Sequence, residues 1–212
     1  MIFKLKSEKN KFIEEVYEKS MKELDEFFRI NWNKNIPALI IVPDRKTFNK
    51  ILRQKTANWH VAESKQNIVF ILSPKAYKEQ SSHNYSNKEY YSTIKHELCH
   101  QFQDVLSNYN YKPLWLSEGL ATYLSTQLPP GMRQKKFSKF LAFYNNGGKE
   151  VYEESGFVVE ILIGKFGKGK LLKLIKNLKP IHDEDKFKKL FKRIYGFELN
   201  YDEINRLYQN KK

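Results

Sequence analysis

The 212-residue chain has one cysteine, Cys99, so it cannot form an internal disulfide. The lack of cross-links fits a reducing compartment, because stable disulfides belong to oxidising ones. No apolar run approaches the roughly 20 residues that a membrane-spanning helix needs. The first residues also lack the long apolar stretch of a signal peptide. We therefore expect a cytoplasmic protein without a membrane span.

Acidic residues are few: 24 Asp and Glu stand against 38 Lys and Arg, which gives a net charge of +14. Such a surface favours acidic partners, namely nucleic acid, an anionic membrane or an acidic protein. The alternative is a lysine-rich chain with solvated faces, because no basic motif with interleaved aromatic residues accompanies the charge. Nucleic acid is therefore a possible partner but not the favoured one.

Hydrophobic residues make up 41% of the chain and aromatic residues 15%, which is enough for a packed core and excludes a disordered chain. The length fits one domain spanning residues 1–212. We expect residues 1–35 to form a helical extension of that domain. No feature of the sequence specifies an oligomeric state.

The segment at residues 96–100 reads His-Glu-Leu-Cys-His, which is the pattern H-E-x-x-H. On a helix, His96 and His100 lie one turn apart on the same face and can direct two imidazoles at one metal ion. Glu97 is rotated by about 100° around the helix, beside such a metal, where a carboxylate can take a proton from water. The alternative is a surface helix with two ordinary histidines.

A third ligand candidate, Glu118, follows 18 positions after His100, in a second helical segment. Two antiparallel helices joined by the polar loop at residues 107–113 would turn Glu118 towards both histidines. Two His and one Glu leave the fourth zinc position open, which is the catalytic arrangement. The alternative for Glu118 is a carboxylate in a first helical turn, where it favours the helix dipole.

The segments His-Glu-Leu-Cys-His at 96–100 and Trp-Leu-Ser-Glu-Gly-Leu-Ala-Thr-Tyr at 115–123 together resemble the gluzincin metallopeptidases. The resemblance is to the compact peptidase MA-like families in particular, whose second motif commonly reads W-x-x-E-G-x-A. It runs from about residue 36 to the C-terminus and is strongest over 91–124. It implies one zinc ion per chain, held by His96, His100 and Glu118, with Glu97 as general base and a peptide or protein as substrate.

With this resemblance, we expect an α+β, zincin-like fold with a small mixed sheet packed on the zinc-site helix and a helical C-terminal half. Two alternatives to a working peptidase are a zinc-binding interaction module without turnover and a metalloprotease recruited to nucleic acid by its charge. An intact Glu97 argues against the first, because a site that only binds zinc does not need it.

Three nearby residues bear on how the histidines are oriented. Asp104 lies four residues after His100 and is either the hydrogen-bond partner of an imidazole or an exposed acid. Thr122 stands where some gluzincins have an acidic residue, which leaves the orientation of the imidazoles open. Cys99 is expected to be a small core residue and not a ligand.

The segment from Tyr152 onwards, Y-x-x-S before an apolar helix, resembles the region downstream of the second motif in peptidase MA-like families. By that resemblance, Tyr152 reaches the active site and donates a hydrogen bond to the oxyanion formed during peptide hydrolysis. The alternative is a tyrosine that packs at a helix start.

Periodicity predicts the remaining elements. We expect helices over 9–30, 45–54, 87–106, 132–144, 169–178, 183–195 and 201–209, and a buried strand over 37–42. Residues 58–63 and 67–72 should form a β-hairpin, with 58–63 as an edge strand that holds the substrate. Residues 73–84 should form a polar loop.

Overall fold

The computed structural model describes residue 7 and residues 9–128, 135–148, 150–181 and 183–209. Over these residues the protein is mixed α+β, as predicted, with a small sheet in the N-terminal half. The strands are β1 (Ala38–Val42), β2 (Ala62–Lys65) and β3 (Ile68–Leu72). The helices are α1 (Lys11–Phe28), α2 (Arg45–Leu52), α3 (Pro74–Gln80), α4 (Asn87–Ser107), α5 (Leu114–Leu124), α6 (Val151–Phe166), α7 (Lys168–Lys176), α8 (Glu184–Tyr195) and α9 (Tyr201–Gln209).

The sheet is mixed and has the strand order β1-β3-β2. β3 pairs in parallel with β1, and it pairs antiparallel with β2, where Ala62 lies opposite Ile71. β2 and β3 also pack on α4. The sheet therefore lies against the helix that carries the H-E-x-x-H segment, as predicted.

Helix α4 has clear signals at both ends. The hydroxyl of Ser86 accepts a hydrogen bond from the N–H of Glu89 at 3.0 Å, which caps the first turn. Asn108 ends the helix in a left-handed conformation with φ of 56°. The predicted helix at 87–106 is thus confirmed.

Helix α1 packs along α4. Phe28 stacks on Phe102 with ring centroids 5.5 Å apart, and Ile13, Val16 and Leu24 are buried in the same core. The helical prediction for this part of the chain is confirmed. That residues 1–35 form an extension of a single domain stays a prediction.

Helices α5 and α6 pack closely against each other. A Cβ on Gly119 would lie 2.5 Å from the carbonyl oxygen of Ser155, and one on Gly156 would lie 3.1 Å from Cγ2 of Thr122. Only glycine permits an approach this close. The close packing of α5 on α6 therefore explains why a glycine, Gly119, follows Glu118 in the second motif.

The hairpin prediction placed its first strand wrongly. β2 covers 62–65 instead of 58–63, and the turn consists of Gln66 and Asn67 with φ of 50° and 59°. Two successive left-handed residues make the two-residue turn whose twist suits a hairpin. This turn sets the register, and residues 58–61 remain in the loop before β2.

Two further predictions were wrong. Residues 74–80 form helix α3 and not a polar loop, because Ser73 caps the N–H of Ala76 and Pro74 suits the first helical position. The predicted helix at 132–144 is a single 3-10 turn, Phe140–Ala142, over the described part of that range. Residues 132–134 lie outside the described residues.

The described helices include none that is both long enough and apolar enough to cross a membrane.

Candidate metal centre

The ligand candidates from two helices meet at one point. His96 and His100 are one turn apart on α4, and Glu118 lies on α5. Nε2 of His96 is 3.3 Å from Oε2 of Glu118, and Nε2 of His100 is 3.6 Å from the same oxygen. All three ligand atoms lie within 4.8 Å of one another. Because α5 begins at Leu114, Glu118 is not in a first turn, so the helix-dipole alternative does not apply.

This geometry fits a zinc ion. Ligand atoms at the usual distance of about 2.0–2.1 Å from a tetrahedral zinc are separated by about 3.3–3.4 Å. The two nitrogen-to-oxygen distances, 3.3 and 3.6 Å, are close to that spacing. Two imidazoles and one carboxylate fill three positions and leave the fourth for water or substrate.

Both imidazoles are oriented by hydrogen bonds from their other nitrogen. Nδ1 of His96 lies 2.8 Å from Oε1 of Gln127, which also accepts from the hydroxyl of Ser125. An amide oxygen can only accept, so Nδ1 carries the proton and Nε2 keeps its lone pair for a metal. Nδ1 of His100 lies 3.1 Å from the hydroxyl of Ser117, which is able to accept a hydrogen bond from it. These contacts are the second-nitrogen bonds that metal-binding histidines make.

The ligand charges stabilise one another. Burial lowers the pKa of His100, but the Glu118 carboxylate outweighs it and raises that pKa to about 9. Burial alone would raise the pKa of Glu118, yet His100 and His96 hold it well below its usual range. A buried carboxylate therefore stays ionised beside two imidazoles, ready to bind a cation.

Glu97 lies beside this cluster and not in it. Burial raises the pKa of its carboxyl, while His96 and His100 act to lower it. Glu63 on β2 and Glu118 add to the upward shift of that pKa. A raised pKa makes the Glu97 carboxylate a stronger base near neutral pH.

Tyr152, in the first turn of α6, reaches the same cluster. Its ring centroid is 6.0 Å from that of His96. Burial raises the pKa of its hydroxyl well above the usual value, and the carboxylates of Glu118 and Glu97 add to that rise. The phenol is therefore protonated at neutral pH and can donate a hydrogen bond.

Cys99 and Asp104 lie outside the cluster. Cys99 is fully buried, and burial raises the pKa of its thiol, as expected for a core residue. Asp104 is partly buried, and burial raises the pKa of its carboxyl as well. Because the hydroxyl of Ser117 occupies Nδ1 of His100, Asp104 is not the partner of that nitrogen.

Three residues near the site were not predicted from the sequence. Ser117 directly precedes Glu118, so a search for hydroxyl partners next to the motif would have found it. Gln127 follows the end of α5 and carries no motif. Glu63 was predicted to end the first hairpin strand, whereas it lies inside β2. Its charge contributes to the raised pKa of Glu97, which the sequence did not indicate.

A family model described as the peptidase family M1 domain matches residues 15–146. The match covers more than half of the chain and includes His96, Glu97, His100 and Glu118. It begins inside α1, upstream of residue 36, and ends before Tyr152. No curated protein sequence and no solved structure matches the chain. The chain thus belongs to peptidase family M1, whose members are zinc-dependent peptidases.

Proposed function

We propose that the chain is a gluzincin-type metallopeptidase of zincin-like fold that forms one domain and holds one zinc ion through His96, His100 and Glu118. The observation that carries the proposal is the convergence of two Nε2 atoms and one carboxylate oxygen at separations of 3.3 and 3.6 Å. Gln127 and Ser117 support the assignment, because they direct both Nε2 atoms at the shared point.

A zinc ion in this site would supply Lewis acidity to a peptide carbonyl and to the attacking water. Glu97 is the general base: its carboxylate takes a proton from that water and delivers it to the nitrogen of the leaving amine. The raised pKa of Glu97 suits both transfers, because the group must accept a proton and then release it.

Tyr152 stabilises the oxyanion. Its phenol is protonated and lies beside the ring of His96, where the carbonyl oxygen of a bound peptide gains negative charge during attack. A hydrogen bond that strengthens as this charge develops lowers the barrier.

The substrate lies along β2. In the described part of the chain, no strand pairs with the outer edge of β2, so its backbone groups are open to an extended peptide. The carboxylate of Glu63 on this strand lies 2.8 Å from Nε2 of His60, and its negative charge contributes to the raised pKa of Glu97 and of Tyr152. A positive group of the substrate would be attracted to this position.

The first experiment measures the zinc content of the purified protein by elemental analysis, beside Glu118→Ala. We expect about one zinc per chain, largely lost in the variant. A peptide-library assay follows, with Glu97→Gln as the inactive reference. Tyr152→Phe should lower kcat and keep the zinc, whereas Tyr208→Phe on α9 serves as the matched control and should change neither. Zinc-free protein after incubation with zinc and dialysis, or a Glu97→Gln variant as active as wild type, would refute the proposal.

A further inference from the structure

The loop between α4 and α5 exposes two aromatic rings. Tyr109 is 62% exposed and Tyr111 is 51% exposed, and these two belong to a group of only four large apolar side chains with high exposure among the described residues. The loop follows the end of α4, about two turns beyond His100. Neither tyrosine contributes to the candidate metal centre.

Asn110, between the two tyrosines, fastens this loop to the segment after α7. Its Nδ2 donates to the carbonyl oxygens of Leu178 at 2.7 Å and Ile181 at 2.6 Å. Its Oδ1 accepts from the N–H of Lys112 at 3.0 Å. The side chain of Asn110 is thus used entirely to hold the loop. Lys179 lies between Leu178 and Ile181 in the chain, so the loop that carries both tyrosines runs beside the segment that carries Lys179.

The backbone at Tyr109 has an unusual conformation. Asn108 ends α4 with φ of 56°, and Tyr109 follows with φ of 64°, which is also left-handed. This region is unfavourable for a bulky side chain and is concentrated at functional sites. The N–H of Tyr109 donates to the carbonyl oxygen of Asp104 at 2.6 Å, so Tyr109 takes part with Asn108 in ending α4. The ring of Tyr109, at this helix end, is 62% exposed.

The neighbouring helix α7 supplies positive charge. Residues 165–179 contain six lysines and no Asp or Glu. The apolar side of α7 is buried in the core, so its charged side faces solvent. Lys173, Lys176 and Lys179 are exposed and form no ion pair in the part of the chain that the structure describes. The nearest acids after them, Asp183 and Glu184, are paired with lysines of α8.

We propose that Tyr109, Tyr111, Lys176 and Lys179 form a binding surface for single-stranded nucleic acid, which we term the tyrosine–lysine surface. Exposed aromatic rings beside a row of cations are the combination that binds single strands: bases stack on the rings, and lysines neutralise phosphates. The aromatic-basic pattern was not visible along the chain, because Asn110 brings together residues that lie about 70 positions apart.

Two other polyanions fit the surface less well. A nucleic-acid duplex hides the faces of its bases, so it would leave the tyrosine rings without stacking partners. A membrane-bound helix inserts its apolar side into the lipid, but Leu171, Leu174 and Ile175 of α7 are already buried in the core. The tyrosine–lysine surface is separate from the zinc site, and the proposal does not depend on peptidase activity.

The test measures the binding of a fluorescein-labelled 20-nucleotide oligo-dT to the zinc-loaded protein by fluorescence anisotropy over a range of salt concentrations. Tyr109→Ala combined with Tyr111→Ala should weaken binding about tenfold or more at an unchanged salt slope, because each stacked base contributes about 1–3 kcal/mol. Lys176→Gln combined with Lys179→Gln should weaken binding and reduce the salt slope by about 1.4, at about 0.7 per phosphate contact.

Lys186→Gln combined with Lys188→Gln is the matched control, because it removes the same charge from lysines that are already paired on α8. It should lose little affinity. Zinc content and circular dichroism should be unchanged in all variants, since none of the altered side chains is buried. The proposal is overturned if the tyrosine variant binds as wild type does or if the control loses as much as the Lys176/Lys179 variant. Equal affinity for a duplex, binding to phosphatidylserine vesicles but not to the oligonucleotide, or no binding at low salt also overturns it.

Discussion

A Cβ on Gly119 would lie 2.5 Å from the carbonyl oxygen of Ser155, so α5 and α6 touch backbone to backbone beside the metal centre. Gly119 directly follows Glu118, and Ser155 lies three residues after Tyr152. The distance between the two helices therefore fixes the position of the candidate ligand on α5 relative to the phenol on α6.

Gly119→Ala should destabilise the protein by about 1–3 kcal/mol, because the new methyl group meets backbone that cannot move aside without shifting a helix. It should also lower zinc occupancy, since the shift displaces Glu118. Gly164→Ala on α6 is the control: no heavy atom lies within 4 Å of its Cβ position, and alanine favours helix. Thermal unfolding measures the loss of stability of each variant, and elemental analysis measures its zinc content. Equal behaviour of both variants would contradict the close-contact argument.

The contact between Nδ1 of His96 and Oε1 of Gln127 leads to a second prediction. Gln127→Ala should weaken zinc binding about 10–100-fold, which is the usual effect of losing a partner behind a metal ligand. Gln127→Glu should retain tight binding, because a carboxylate accepts the same proton. Competition with a chelator at fixed pH measures both affinities. Unchanged affinity in Gln127→Ala would show that His96 needs no such partner; Gln54→Ala, at an exposed position far from the site, controls for general effects.

Glu63 on β2 leads to a third prediction, which concerns the substrate. Its carboxylate is 2.8 Å from Nε2 of His60, and its charge contributes to the raised pKa of Glu97 and of Tyr152. Peptides with a positive charge near the cleaved bond should therefore be preferred. In Glu63→Gln, KM for such peptides should rise several-fold, while KM for neutral analogues should change little. A uniform effect on both peptide sets would instead indicate that Glu63 only supports the strand.

The ion pair between His83 and Glu89 makes stability depend on pH. The atoms Nδ1 of His83 and Oε1 of Glu89 are 3.4 Å apart. The hydrogen bond that His83 donates to Glu89 raises the pKa of His83, and the same contact lowers the pKa of Glu89. The stabilisation by His83 is complete below its unfolded pKa of about 6.5 and is lost as pH rises through the raised folded value. The stabilisation by Glu89 is complete above its unfolded pKa of about 4.3 and is lost as pH falls through its lowered folded pKa.

The free energy of unfolding of the metal-free protein should therefore differ most between wild type and His83→Gln at about pH 5–6. The difference should be at most about 1 kcal/mol, because both side chains are about one third exposed and solvent screens the pair. It should shrink towards pH 9. Urea unfolding at several pH values measures it, and a difference that stays constant from pH 5 to pH 9 would rule out the ion pair as its source.

Local signals in the sequence predicted most helices and pointed to the three candidate ligands that the structure brings together. Three helices begin after an N-cap of the residue type that is common there, namely Asp44, Ser86 and Asp183. The four-residue spacing of His96 and His100 places both on the same helix face. Such features need only the geometry of a single helix. To predict the position of Glu118, a turn between two helices was also required, and the polar loop at residues 107–113 indicated that turn.

The features that the sequence missed depend on contacts between distant segments. Gln127 reaches His96 across 31 positions, and no local pattern marks it. The position of β2 follows from two left-handed turn residues, Gln66 and Asn67. Neither is glycine, although two-residue hairpin turns usually contain one, so the turn is hard to recognise in the sequence. The 3-10 turn Phe140–Ala142 stands where periodicity predicted a full helix, because a side chain from α6 binds the backbone there.

That side chain is Glu154, a carboxylate buried to 4% exposure. Its oxygens accept hydrogen bonds from the backbone N–H groups of Ser138 at 3.0 Å, Lys139 at 2.8 Å and Phe140 at 3.0 Å. Three donors converging on one charged group hold this segment in its non-helical path. Glu154 also lies two residues after Tyr152, so the same contacts secure the start of α6.

Glu154→Gln should therefore destabilise the protein by about 2–4 kcal/mol, because the amide offers one acceptor oxygen and turns its NH₂ group towards N–H donors in a buried place. Glu153→Gln, next to it on α6 but exposed, should have little effect. Urea unfolding with equal m-values in all three proteins measures the loss. If Glu154→Gln were as stable as Glu153→Gln, the convergent hydrogen bonds would not be what holds residues 138–140, and the 3-10 turn would owe its shape to the packing of Phe140 against Trp115 instead.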